Sequence, residues 1–142
     1  METILLEFVA TLDSSLKRLQ EEIGSRIGFT NLTINQFHYI DTIYELGTPT
    51  LTELAEKMQI TKASVTAGIN KLVTLGFATK EQSEMDKRTY HIHLTGQGLD
   101  LIQAKFQTLR EYGKFIERAL SAEEAEQLQK ILGKLVTLFT NW

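Results

Sequence analysis

No cysteine occurs among the 142 residues. That excludes a disulfide framework, a thiolate metal site and cysteine-based redox sensing, and it fits a reducing cytoplasm. Proline is nearly absent: Pro49 is the single one. A chain with so little to interrupt helix is read as mostly long helix. No apolar run approaches ~18 residues, so no membrane span is expected. Residues 1–10 lack the basic stretch of a secretory leader, and neither terminus reads as a targeting signal. The chain is therefore expected in the cytoplasm, with no membrane partner, no metal and no other cofactor.

A surplus of positive charge is missing as well, since the chain carries −3. Where the charge sits matters more than its sum, because nucleic-acid binding needs a local basic footprint. Residues 48–95 hold six basic side chains against five acidic ones, residues 1–47 hold three against seven, and residues 96–142 hold six of each. The acidic excess lies in the first segment, away from the part of the chain that carries the most specific pattern.

That pattern runs from Leu51 to Thr95. A short helical stretch, Thr52 to Met58, meets a turn at Gln59-Ile60-Thr61. A second helix is predicted from about Lys62 to Leu75, stopping at Gly76. Two alternating stretches, Phe77 to Gln82 and Thr89 to Thr95, flank a charged tip at Asp86-Lys87-Arg88. This order reads as a helix-turn-helix followed by a two-stranded wing, which places the second helix where it can enter a DNA major groove.

Longer helices surround it. Phe8, Leu12, Leu16, Leu19, Ile23 and Ile27 recur every three or four residues, one face of a long helix that ends at Gly28 or earlier at Gly24. Continuous from Glu2, it would span ~40 Å at ~1.5 Å per residue. Thr33-Ile34-Asn35-Gln36 is a capping box opening a helix to Leu46, stopped by Gly47. Thr48 to Leu51 is a turn with room for a short strand. A further helical pattern runs from about Gly98 to Leu120. Ser121-Ala122-Glu123-Glu124, another capping box, opens a last helix striped with Leu128, Ile131, Leu135, Leu138 and Trp142. A winged helix of ~60 residues is too small to cover all these stripes, and apolar faces left wet mark a partner. A second copy in a two-fold dimer is the simplest one; the alternative is that the first and last two helices pack on each other within one subunit.

The candidate reading helix divides by angle. Val65, Ile69 and Leu72 share a face and should pack through Leu54 and Met58. Ala63, Ser64, Thr66, Ala67, Asn70, Lys71 and Thr74 lie opposite. Asparagine can pair bidentately with adenine N6 and N7, serine and threonine can meet base or phosphate, and lysine suits guanine or phosphate. No acidic residue occurs between Thr61 and Lys80, which favours a phosphate neighbour over an ordinary solvated face. Gly68 falls near the inward side, where close helix packing explains it. In the wing, Tyr90, Ile92 and Leu94 alternate with Thr89, His91 and His93, one face buried and one wet. Arg88 can enter a narrow minor groove, and Asp86 can hold its guanidinium in one orientation. His91 and His93 lack a third ligand and make a poor metal site. No nucleophile motif, phosphate loop or HExxH spacing is present, which argues against an enzyme.

Taken together, Leu32-Thr33-Ile34-Asn35-Gln36, Leu51-Thr52-Glu53-Leu54-Ala55, Ile60-Thr61-Lys62-Ala63-Ser64-Val65-Thr66, Leu72-Val73-Thr74-Leu75-Gly76-Phe77, Asp86-Lys87-Arg88 and Leu94-Thr95-Gly96-Gln97-Gly98 resemble the MarR family of transcriptional regulators. The motifs cover about residues 30–100, and helix order and length extend the resemblance to the whole chain. It implies a mainly α fold with a small β-wing, one domain over 1–142, with a winged helix-turn-helix at 31–97 flanked by dimerisation helices at 1–30 and 98–142. It implies a homodimer, usually a repressor, on a pseudo-palindromic double-stranded DNA operator, released by a small aromatic or anionic effector. By resemblance Lys62, Ser64, Thr66 and Asn70 read the major groove and Arg88, braced by Asp86, the minor groove. Thr61, Ala63, Lys71 and Lys87 complete the expected DNA-binding set. Position 67, where relatives often carry a long polar residue, is alanine here and is followed by Gly68. The effector is expected where the first, second and fifth helices meet, near Arg26, Phe29, His38, Tyr39, Arg110 and Tyr112. The competing reading is a winged-helix module that docks proteins without sequence-specific DNA binding; large apolar anchors on the outward face of residues 62–74 would mark it, and Ala63 and Ala67 are small.

Overall fold

In the computed structural model, which describes residues 1–29 and 31–142, the elements follow in the order α1 (Glu2–Arg26), α2 (Ile34–Leu46), α3 (Leu51–Met58), α4 (Lys62–Leu75), β1 (Ala78–Gln82), β2 (Tyr90–Leu94), α5 (Gly96–Arg118) and α6 (Ala122–Thr140). The chain forms two compact units, residues 1–106 and 107–142. The first holds α1 to α4, the β-pair and the start of α5; the second holds the rest of α5 and α6. No helix among the described residues is long and apolar enough to cross a membrane.

Most helix starts are set by side chains that satisfy otherwise unpaired amides. Thr33 accepts from the Gln36 amide at 3.1 Å while the Gln36 side chain accepts from the Thr33 amide at 2.9 Å. Thr50 and Glu53 form the same reciprocal box for α3, and Ser121 and Glu124 for α6. The box at Thr50 moves the start of α3 to Leu51, one residue earlier than its pattern suggests. Likewise α5 begins at Gly96 rather than Gly98, because the Thr95 hydroxyl accepts from the Gly98 amide at 3.2 Å. Helix α1 passes through Gly24 and ends at Arg26.

The end of α4 explains where the wing begins. Gly76 takes φ 87°, in the left-handed region, and the Phe77 amide turns back to the Leu72 carbonyl at 2.9 Å. This closure satisfies orphan carbonyls at the helix end. It also removes the Phe77 amide from strand pairing, so β1 starts at Ala78. The strands are antiparallel, with Ala78 opposite Leu94, Lys80 opposite Ile92 and Gln82 opposite Tyr90. Thr50 adds an isolated bridge to His91, and Ile92 donates to the Pro49 carbonyl at 2.8 Å; this is the short strand-like contact expected before α3.

The core of the first unit gathers one face from each element: Ile40 and Ile43 of α2, Leu54 of α3, Ile69 and Leu72 of α4, Ile92 of β2 and Leu101 of α5 are all buried. Met58 packs against it from the edge. Lys105 of α5 pairs with Asp41 of α2 at 2.6 Å. By contrast, the first half of α1 leaves Leu5, Phe8, Val9 and Leu12 exposed, and no residue of α6 is buried.

Candidate nucleic-acid interface

Helix α4 is held from behind and open in front. Val65, Ile69 and Leu72 are buried, while Thr61, Lys62, Ala63, Ser64, Asn70 and Lys71 are exposed and Thr66 is half-buried. The inward contact is tight. Tyr39 of α2 lays its ring over Gly68, where a Cβ would sit closer to the ring than carbon atoms can approach. Its hydroxyl donates to the Ser64 carbonyl at 3.2 Å. Gly68 is thus a packing glycine, and Tyr39 sets the spacing between α2 and α4.

The first turn of α4 is organised by Thr61. Its hydroxyl accepts from the Ser64 amide at 3.1 Å and donates to the Ser64 hydroxyl at 2.9 Å. Thr66 returns its hydroxyl to the Lys62 carbonyl at 2.8 Å. Three exposed hydroxyl or ammonium groups therefore flank a helix N-terminus with unpaired amides, a disposition suited to phosphate oxygens.

Asn70 has a partner that its sequence neighbourhood does not announce. Lys80, ten residues on and in β1, donates from Nζ to Asn70 Oδ1 at 3.2 Å. The same ammonium lies 4.8 Å from the centroid of the Tyr90 ring. Strand geometry brings this about, since Lys80 projects from the sheet face that also carries the buried Ala78 and Ile92.

The wing tip is ordered by one carboxylate. Asp86 Oδ1 accepts from the Arg88 amide at 3.0 Å, and Oδ2 from the Thr89 hydroxyl at 3.4 Å. The Asp86 carbonyl accepts from the Thr89 amide at 2.9 Å, and Gln82 Nε2 donates to the Lys87 carbonyl at 2.6 Å. The guanidinium itself is held loosely, with Nε 3.7 Å from Oδ1 and the side chain 95% exposed. Asp86 therefore braces the backbone beneath Arg88 more than its fork. On the other sheet face His91 faces the Thr48 carbonyl at 3.3 Å, and His93 Nε2 lies 2.9 Å from Glu81 Oε2 but outside hydrogen-bond geometry. Among the described residues no cluster of three or more His, Asp or Glu side chains could hold a metal ion.

The residues expected to hold an effector have varied surroundings. Arg26 pairs with Glu22 at 3.1 Å one turn back on α1. The Phe29 ring meets Phe77 edge-on, 4.9 Å between centroids. Tyr39 is engaged with α4 as described, and burial pushes its phenol above the ordinary tyrosine value. His38 is exposed, and Arg110 and Tyr112 belong to the second unit. A cleft of about 380 Å³ opens between the second half of α1 and the segment leading into α2, lined by Lys17, Gln20, Glu21, Phe29, Asn31 and Thr33 among others. Of the expected set only Phe29 lines it. Helical periodicity could not have shown this cleft, because half its wall is irregular chain.

Known proteins resemble the chain throughout. Residues 32–90 match the sequence model of the MarR family. The HTH-type transcriptional regulator YsmB of Bacillus subtilis is 28% identical over 134 residues, 92% of each chain. The HTH-type transcriptional regulator PrsX of Escherichia coli is 26% identical over 122 residues, 84% of this chain and 74% of its own. Among solved structures, FabT of Streptococcus pneumoniae in complex with DNA superposes with a TM-score of 0.83 at 22% identity, covering 99% of both chains.

Proposed function

We propose that this chain, which belongs to the MarR family through residues 32–90, is a DNA-binding transcriptional regulator that grips a pseudo-palindromic operator as a homodimer. It acts as a repressor in the cytoplasm, released by a small aromatic or anionic effector, and is not an enzyme. The observation that carries the DNA-binding part is the outward face of α4. It has no acidic residue, it exposes Lys62, Ser64, Asn70 and Lys71, and the wing beside it raises Arg88 on a tip ordered by Asp86. Small side chains at Ala63 and Ala67 suit a groove better than a protein partner. The exposed apolar rows of α1 and α6 support the homodimer. The cleft beside Phe29, with Lys17 and Glu21 both on its wall, gives a small aromatic effector room to bind.

The test is anisotropy of labelled duplex across a salt series, followed by selection of bound DNA from a random pool. A dimer touching about 8 phosphates gives a log–log salt slope of about −7. A slope near zero on every duplex removes DNA from the account and leaves the protein-docking module. Salicylate-like acids are then titrated against the selected duplex. An acid that lowers DNA affinity tenfold needs ~1.4 kcal/mol of preference for the released state; the absence of any response at millimolar acid removes that class of effector.

A further inference from the structure

We propose that Lys80 decides which base Asn70 reads, by locking the Asn70 amide with its oxygen turned away from the groove, so that the chain prefers guanine to adenine at the base pair beneath Asn70. The inference rests on the DNA-binding reading above. Its geometry is the chain of contacts from Asn70 Oδ1 to Lys80 Nζ at 3.2 Å and from Nζ to the Tyr90 ring at 4.8 Å.

The orientation follows from chemistry. An ammonium has only donors, so the amide atom facing it must be the oxygen. Lys80 is itself constrained. It is half-buried, it stands on the sheet face that also bears Ala78 and Ile92, and its head lies against the Tyr90 ring. A half-buried lysine whose head is held by a ring has less freedom than a solvated one.

An unlocked asparagine presents one acceptor and a pair of donors, the match for adenine N7 and N6. With Oδ1 turned toward Lys80, the part of Asn70 that faces the groove is its NH2 group, which only donates. Guanine presents two acceptors, O6 and N7, in the major groove. Adenine would bring its N6 donor against those N–H groups. Asn70 touches the base; Lys80 is a positioning residue that acts through it.

The experiment uses the full chain and duplexes selected from a random pool, then substituted at each base pair in turn. One position should favour guanine over adenine, and Asn70→Ala should level the two there. Lys80→Met keeps a stem over Tyr90 without a donor. It should swing the guanine-to-adenine ratio at that position about tenfold toward adenine, beyond any uniform loss from the missing charge. Lys80→Arg restores a donor and should keep the original ratio. In an Asn70→Ala background, Lys80→Met should change all duplexes alike. Thermal unfolding of each variant confirms the fold, with Lys80→Leu as a second donor-free variant. If Lys80→Met weakens every duplex equally and leaves the ratio unchanged, the lock is overturned while DNA binding stands. If the original chain binds no duplex in a salt-sensitive way, DNA binding fails and the lock with it.

Discussion

Tyr39 and Gly68 constrain each other at the scale of single atoms. A methyl added at position 68 would run into the Tyr39 ring, and that ring cannot withdraw without losing its hydroxyl contact to Ser64. Overpacking of this kind costs about 1–3 kcal/mol, while glycine to alanine in a helix returns about 1 kcal/mol. Gly68→Ala is therefore expected to lower the urea midpoint with an unchanged denaturant slope, and adding Tyr39→Leu should recover part of the loss, since contacting positions do not add. The phenol supplies a second expectation. Burial raises its pKa, so the neutral form is the one the fold favours. Stability from this group is fully present below the ordinary tyrosine value, ~10, and is lost as pH rises through the higher folded value. Tyr39→Phe should cost about 0.5–1.5 kcal/mol near neutrality by removing one hydrogen bond. It should also flatten the alkaline decline seen in urea titrations; an unchanged decline would assign it to other groups.

At the scale of elements, the wing depends on Asp86 through its backbone contacts, and that separates two substitutions. Asp86→Asn keeps an oxygen to accept from the Arg88 amide and removes a negative charge near phosphate. Asp86→Ala removes the acceptor as well. We expect the asparagine variant to bind DNA as well as the original chain or more tightly, and the alanine variant to bind less well, most visibly on A·T-rich flanks where Arg88 would insert. Equal tightening by both would mean that only the charge matters. Helix ends were largely legible in the sequence because their cause is local: Thr33 and Gln36, or Ser121 and Glu124, lie three residues apart and meet in any helix start. The Glu124 carboxyl is held below its ordinary value chiefly by the Ser121 backbone, with the Ser121 hydroxyl adding to it. The stability it lends the start of α6 is present above the unfolded value and fades as acid takes the pH through the lower folded one. Contacts that depend on register were not legible. Lys80 meets Asn70 only because β1 pairs with β2 in one register and α4 ends by turning Phe77 back on Leu72. The same limit applies to Tyr39, which the sequence pattern put among the residues expected near an effector and whose ring the structure lays on Gly68 of α4.

At the scale of the whole molecule, the question is what covers α1 and α6. Leu5, Phe8 and Val9 on the first and Val136, Leu138 and Phe139 on the last are each more than half exposed. Singly exposed apolar side chains are ordinary, but contiguous rows mark an interface. A two-fold dimer buries each such row twice, because the same patch serves both partners. Burying a leucine- or phenylalanine-sized side chain contributes about 1.5–3 kcal/mol, so Phe139→Glu should weaken the dimer by about 3–6 kcal/mol before the cost of the buried carboxylate. The original chain should sediment at twice its 16.1 kDa mass at micromolar concentration, and Phe139→Glu should sediment as monomer with helical circular dichroism retained. The reading elements lie in residues 61–89, outside α6, so the monomer should keep weak, salt-sensitive affinity for any duplex. It should lose the preference for two half-sites about one helical turn, ~10 bp, apart. A Phe139→Glu protein that remains dimeric places the interface elsewhere. One that becomes monomeric yet binds the selected operator undiminished breaks the link between two-fold assembly and a two-fold site.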